Sequence, residues 1–280
     1  MSIFSLFFLL CSLLLGATAL VVTLSYAIAW YEYANREPDL LDRRFDPGRL
    51  GLACKLLLQE TFFLLLTVLQ HPLGWLRQPD KLPEYGSGTP VLLLHGLLQN
   101  RACWGWLRGA LRRRGLGSIQ TMNLPPWFDV DTLVERIDQR VDALRYASGA
   151  DKVHLVGHSM GAMLARHYLQ LRGGAEKVAS CTLLGAPNGG SKLVPFALTP
   201  LGELLCPGSE FLERLAETPL PKGVALRNIY SRHDNMVIPF ENGLLEGAEN
   251  VELTGIGHAT LLYHPHAVEA IYDALSEASL

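Results

Sequence analysis

The sequence predicts an α/β domain: a mostly parallel central sheet with helices on both faces, preceded by an apolar helix. Three observations predict it. Between residues 90 and 280, short runs of consecutive apolar residues alternate with segments of helical period. Those runs are apolar throughout rather than at every second position, so both faces of the sheet are covered. Before residue 77 the chain is dominated by Leu, Phe and Ala. A chain of 280 residues, 49% of them hydrophobic, suffices for one large domain and an appendage.

The elements follow in order. "PVLLLHG" (90–96) reads as a buried strand ending in glycine, and Trp104 to Arg113 as a helix. "SIQTMNLPP" (118–126) is a second strand, stopped by two prolines. Val130, Leu133, Val134, Ile137, Val141 and Leu144 recur at helical spacing, which predicts an amphipathic helix over 130–147. "KVHLVGHS" is a strand and Met160 to Leu171 a helix. Further strands fall at 177–187, 224–234 and 250–258, and His266 to Ser276 closes the chain as a helix. Residues 191–222 break the rhythm with Pro195, Pro200, Pro207, Pro219 and Pro221 among scattered Leu and Phe. This insertion is either a cap over the site or a loop with a short helix.

The beginning of the chain is a candidate membrane anchor. No charged residue occurs from Ile3 to Trp30, and a helix needs about 20 apolar residues to cross a bilayer. A cleaved signal peptide fits less well: no Lys or Arg precedes the run, which outlasts a signal core of roughly 7–15 residues. The expected organisation is an anchor over 1–31, a juxtamembrane or interfacial apolar segment and linker over 32–89, and the catalytic domain over 90–280. A second apolar segment, Leu50 to Leu76, is interrupted by Lys55, Gln59, Glu60, Gln70, His71 and Pro72. It would lie in the interface, pack on the domain or pair with the first helix; a second span is the less favoured alternative. Arg36, Arg43, Arg44 and Arg49 follow the first segment. With one span they put the domain in the cytoplasm, and with two they put it outside. The acidic neighbours Glu37, Asp39, Asp42 and Asp46 count little in that rule.

Net charge is −3 and no basic stripe stands out, so nucleic acid is not an expected partner. The five cysteines show no CxxC and no metal-ligand spacing. Cys181 and Cys206 would pair only in an oxidising compartment; buried free thiols are the expectation.

The chemistry concentrates in "VHLVGHSMGAMLAR", Val153 to Arg166. A serine hydroxyl needs a base and a backbone that projects it towards substrate. A sharp strand-to-helix turn projects it, and its crowding demands small residues two before and two after. Gly157 and Gly161 stand there around Ser159. Acyl transfer also needs donors for a developing oxyanion. The Met160 amide is one candidate. The Leu97 amide is the other, in the loop after His95 and Gly96. His95 itself reads as structural, holding that loop. Among nine histidines, His258 in "GIGHATLL" is the candidate base, since it sits beyond a strand with glycines at 255 and 257. The candidate orienting acid is Asp234, at the end of the preceding strand in "IYSRHDNMVIP". Glu241 and Glu246 are competitors better read as solvated charges.

Residues 90 to 275 resemble an α/β-hydrolase of the bacterial triacylglycerol lipase and esterase group. The resemblance rests on "HG" before the oxyanion loop, "GHSMG" at the elbow, the order Ser159, Asp234, His258, and "GAPNGGS" (185–191), which is similar to "GTPHxGS". It implies an α/β-hydrolase fold and ester hydrolysis through an acyl-enzyme, with no cofactor. Secreted members carry a removable signal, whereas this chain begins with an apparent anchor. Structural calcium in some members needs aspartates near the base; none lies between His258 and Asp273, so no metal is expected. The implied substrate is a lipid or apolar ester, and the implied location a bacterial inner membrane. An acyltransferase or thioesterase on lipid intermediates would share the acyl-enzyme. A catalytically dead fold acting as a membrane binding partner would show a broken triad.

Overall fold

The structure is a computed structural model, and it describes residues 2–37, 46–76 and 81–278. Asp39, Asp42, Arg43, Arg44 and part of the linker (77–80) lie outside the described residues.

The domain is a six-stranded, all-parallel sheet of β1 (Val91–Leu94), β2 (Ile119–Met122), β3 (Val153–His158), β4 (Val178–Leu184), β5 (Ala225–Ser231) and β6 (Glu249–Leu253), in the order β2-β1-β3-β4-β5-β6. Strand β1 shows why the apolar runs are continuous. Leu92 and Leu94 enter the core on one face, with helices α4 (Val130–Ser148) and α5 (Met160–Leu171). Val91 and Leu93 enter the core on the other face, with α3 (Gly105–Arg113) and α8 (Pro265–Glu277). Asp129 caps α4 by accepting from the Thr132 amide at 2.7 Å, and Gly149 ends it in the left-handed conformation.

Several strands stop short of the sequence expectation, and two of these ends bear on the site. β5 ends at Ser231 and β6 at Leu253, so Asp234 and His258 stand on loops beyond the sheet. Gly255, at φ 68°, turns the chain away from the ladder. Trp104 belongs to a 3-10 turn (Arg101–Trp104) and α3 starts at Gly105. The insertion at 191–222 contains α6 (Pro200–Glu203) and α7 (Glu210–Glu217). Its Leu201, Leu205, Leu212 and Leu215 are buried in the cluster that also holds α5, so it is rooted in the core. The cysteines are unpaired: Cys181 is buried, and Cys206 is exposed rather than buried.

The apolar beginning forms two helices, α1 (Ile3–Arg36) and α2 (Pro47–Leu76), each long and apolar enough to cross a membrane. They differ in how they meet the rest of the chain. From Ile3 to Ala17, α1 has no buried residue. From Thr18 onward one face, Thr18, Val22, Ser25 and Tyr26, is covered. This is the i, i+4, i+7, i+8 stripe of a packed helix. Val22 and Tyr26 pack on Leu56 of α2. Helix α2 runs through Pro72 without ending there and is fastened to the domain along its length. Phe63 stacks on Tyr263 at 4.8 Å between ring centroids, and Thr67 hydrogen-bonds the Tyr263 hydroxyl at 2.8 Å. At its end the Gly74 carbonyl accepts from Arg101 at 2.9 Å and from Asn123 at 3.1 Å. These bonds satisfy a helix terminus that has no partner of its own.

Where α5 starts beneath β1, backbone crosses close upon backbone. A Cβ placed at Gly161 would lie 2.3 Å from the Leu94 carbonyl oxygen, and one at Gly157 would lie 2.5 Å from the Ala162 Cα. Both obstacles are backbone and have no rotamer to yield. Gly161→Ala is therefore expected to lower the unfolding midpoint in circular-dichroism melts, at a cost of about 1–3 kcal/mol or more from overpacking. Gly16→Ala, with nothing within 4 Å, is the matched change that should leave the midpoint unmoved. Equal midpoints for the two variants would contradict this account of the crossing.

Candidate active site

Ser159 occupies the turn between β3 and α5 at φ 53° and ψ −121°. A non-glycine residue there carries strain of roughly 1–3 kcal/mol, sustained only when its surroundings enforce it. Here they do. Its amide donates to the Leu184 carbonyl at 2.9 Å, and the glycines on either side allow the helix to start at once. The turn lifts Ser159 to the end of the sheet in front of the α5 N-terminus.

The loop after β1 faces it. A Cβ at Gly96 would lie 3.0 Å from the Ser159 Cβ, so loop and elbow are in contact. Among the described residues Leu98 is the other non-glycine residue at positive φ, 57°. Gln99 holds the loop in that shape: its Oε1 accepts from the Gly96 amide at 3.0 Å and meets His158 Nδ1 at 3.2 Å. Among the described residues, no hydrogen bond from the amides of Leu97 or Met160 to a carbonyl is seen outside the helices and strands. His95 does not face the serine. Its Nδ1 meets the Gly96 carbonyl at 2.8 Å and its Nε2 accepts from the Leu124 amide at 2.8 Å. Burial pulls its pKa down to about 4, so it is a neutral brace for the loop.

Asp234 and His258 are joined by a 2.7 Å hydrogen bond between Oδ2 and Nδ1. The other carboxylate oxygen accepts from the amides of Met236 at 2.7 Å and Val237 at 2.8 Å, which fixes the group's plane. Burial works to lower the pKa of His258, but the Asp234 charge and hydrogen bond, with Glu60 adding, hold it above the ordinary 6.5. The ring is placed by its neighbours. Gly185, at φ 58°, comes close beneath it, since a Cβ there would lie 3.3 Å from the His258 Cε1. The His158 ring lies 4.7 Å from the His258 ring between centroids, and its Nε2 is 3.3 Å from the His258 carbonyl. Burial, with His258 adding, holds His158 well below the ordinary pKa. The neighbours of Ser159 thus pack against the Asp234–His258 pair, His158 through its ring and Gly185 just after the carbonyl that takes the Ser159 amide, and no hydrogen bond joins Ser159 to His258 among the described residues. Open hydrogen bonds of this kind are common in sites that hold no substrate.

Several supporting residues escaped the sequence reading. Asn235 accepts from the His258 amide at 3.1 Å and donates to Ser25 Oγ of α1 at 2.7 Å. The Tyr26 hydroxyl donates to the His233 carbonyl at 3.3 Å. Glu60 of α2 accepts from the two residues after His258. The one available signal was a carboxylate inside an apolar helix, a pattern that is buried only with partners. Glu241, a competitor for the acid, is instead paired with Arg36 of α1 at 3.0 Å on the surface.

Residues 91–229 match the alpha/beta hydrolase family model. A triacylglycerol lipase of Pseudomonas fragi is 30% identical over 109 residues, which is 37% of this chain and 36% of that one. A proline iminopeptidase of Heyndrickxia coagulans is 31% identical over 123 residues, 39% of this chain and 40% of that one. The chain thus spans well under half the length of these relatives. Among solved structures, Aspergillus fumigatus lipase B matches with a TM-score of 0.61 at 20% identity, covering 71% of this chain and 56% of that one. A monoacylglycerol lipase of Paleococcus ferrophilus matches with a TM-score of 0.53 at 18% identity, covering 71% and 96%. At such identities the structures speak for the fold alone, and the lipase and peptidase relatives share the family rather than a substrate. With the sheet order, the elbow at Ser159 and the match over 91–229 in agreement, the chain has the alpha/beta hydrolase fold.

Proposed function

We propose that the protein is a membrane-anchored serine hydrolase that cleaves carboxylic esters of apolar acyl chains. The observation that carries this reading is the strained Ser159 at the start of α5 beside the hydrogen-bonded Asp234–His258 pair. In the proposed reaction His258 takes the Ser159 proton as the hydroxyl attacks the ester carbonyl. The Leu97 and Met160 amides receive the oxyanion. Asp234 holds the Nδ1–H tautomer and stabilises the imidazolium. His258 then protonates the leaving alcohol, and water, activated by the same imidazole, releases the acid.

The surroundings support an apolar substrate. Leu97 lies against the insertion, where a Cβ at Gly202 would be 3.2 Å from its Cδ2. Ser191 donates to the Met236 carbonyl at 2.5 Å, so the insertion also adjoins the loop after Asp234. Exposed Leu98, Phe196, Leu198 and Met236 stand on these three adjoining segments. We read 191–222 as a cap and 90–280 as the catalytic unit. The unpacked half of α1, Ile3–Ala17 with the turns that follow, is read as the anchor. The packed half returns towards the site: Lys192 of the insertion pairs with Glu32, and Tyr33 meets Phe240 at 6.4 Å. This arrangement favours esters drawn from the lipid itself, at a bacterial inner membrane.

Two measurements test the reading. On p-nitrophenyl esters from acetate to palmitate, the detergent-extracted protein is expected to hydrolyse an intermediate or long chain best. Ser159→Ala should lose about 10⁴-fold or more in kcat; a fully active variant would reject Ser159 as nucleophile. The pH profile gives the second. A base must be neutral, so kcat/KM rises with pH through the His258 pKa. Because that pKa is held above 6.5, the midpoint of the acid limb should lie above pH 6.5. A midpoint below it would contradict the Asp234–His258 pairing.

A further inference from the structure

Helix α2 carries one carboxylate inside a run of Leu and Phe, and Glu60 is only 1% exposed. A buried carboxylate is stable there only when its oxygens are satisfied. Three donors do so, and none is a cation. Oε1 accepts from the Ala259 amide at 2.6 Å. Oε2 accepts from the Thr260 amide at 3.0 Å and from its hydroxyl at 2.7 Å. These are the two residues directly after His258. Gly257, directly before it, is equally hemmed in: a Cβ there would lie 2.3 Å from Glu60 Oε2 and 2.6 Å from the Tyr26 hydroxyl. The turn that presents the imidazole is therefore gripped from two sides, by Asp234 on the ring and by Glu60 on the backbone.

A loop that merely needed its amides capped would do so with a nearby Ser, Asp or Asn. Here the acceptor comes from a helix about two hundred positions earlier in the chain, and the desolvation of a carboxylate is accepted to supply it. We propose that Glu60 is a positioning residue for His258: its carboxylate fixes the 257–260 turn so that the imidazole is held between Asp234 and Ser159. The proposal rests on the reading of His258 as general base. It also makes α2 part of the catalytic apparatus, since the helix delivers a group without which the base is free to shift. Misplacing a reacting group by about 1 Å costs on the order of 100-fold in rate, while substrate binding elsewhere is untouched.

The test uses the full-length protein in detergent micelles, with kcat and KM measured on p-nitrophenyl butyrate and the folded fraction followed by circular dichroism. Glutamine at position 60 keeps the shape but replaces an acceptor with a donor. Glu60→Gln should lower kcat by about 10-fold or more per folded molecule and leave KM within about 2-fold, the signature of a lost transition-state arrangement. Thr260→Val removes the hydroxyl alone and should give a smaller fall in kcat, again at constant KM. Ser159→Ala, run alongside, keeps the two readings separate. If it is inactive and Glu60→Gln retains wild-type kcat per folded molecule, the positioning role is wrong and the serine mechanism stands. If Ser159→Ala is itself active, both fall. Should Glu60→Gln not fold, Thr260→Val decides: an unchanged kcat overturns the proposal.

Discussion

The absence of a side chain at Gly161 and Gly157 is the constraint from which the site follows. It lets α5 begin against the end of β1, with backbone in contact with backbone. Only then can the chain leave β3 at His158 and enter a helix one residue later, which forces Ser159 into a conformation that L-residues avoid. The loop after β1 is drawn to the same spot, where Gly96 touches the serine. The elbow and the placing of the loop after β1 are thus two consequences of one close approach. The ladder on both sides of β3 and the apolar clusters on both faces provide the rigidity that sustains it.

The other half of the site is held differently. Asp234 and His258 stand on loops beyond the sheet, and loops need external support to hold an angle. Part of that support is local: Asp234 accepts from the amides of Met236 and Val237, and Ser231 donates to the Ile256 carbonyl at 2.5 Å. The rest comes from the apolar helices. Ser25 holds Asn235, Tyr26 reaches His233, and Glu60 takes the amides after His258. The first helix is free at its start and committed at its end. Composition shows it as uncharged from Ile3 to Trp30, yet only the later part of that run has a packed face.

Much of this was legible in the sequence because the relevant physics is local. Apolar runs of strand length predict buried parallel strands. Glycines at 157 and 161 around Ser159, between such a run and an apolar helix, predict the turn. The candidates Asp234 and His258 follow from chain order and from glycine-flanked loop positions. Ends of elements were less legible. The ladder gives out before the apolar sequence does, so β6 ends at Leu253 with His258 on a loop. The insertion at 191–222 looked irregular, and its buried leucines become visible only once α5 is beside them.

Glu60 shows where reading ran out. In sequence it is one of several polar interruptions in a leucine-rich segment, no different in kind from Gln59 or Lys55. Its meaning depends on which face of α2 meets the domain and on what stands opposite, and the partners are 199 and 200 positions away. The sequence by itself determined the sheet, the elbow and the candidates Ser159, Asp234 and His258, because periodicity, steric need and side-chain type are properties of short segments. Only the tertiary structure decided how the loops of Asp234 and His258 are held, and that the apolar helices hold them, because that support is made of contacts between segments far apart in the chain.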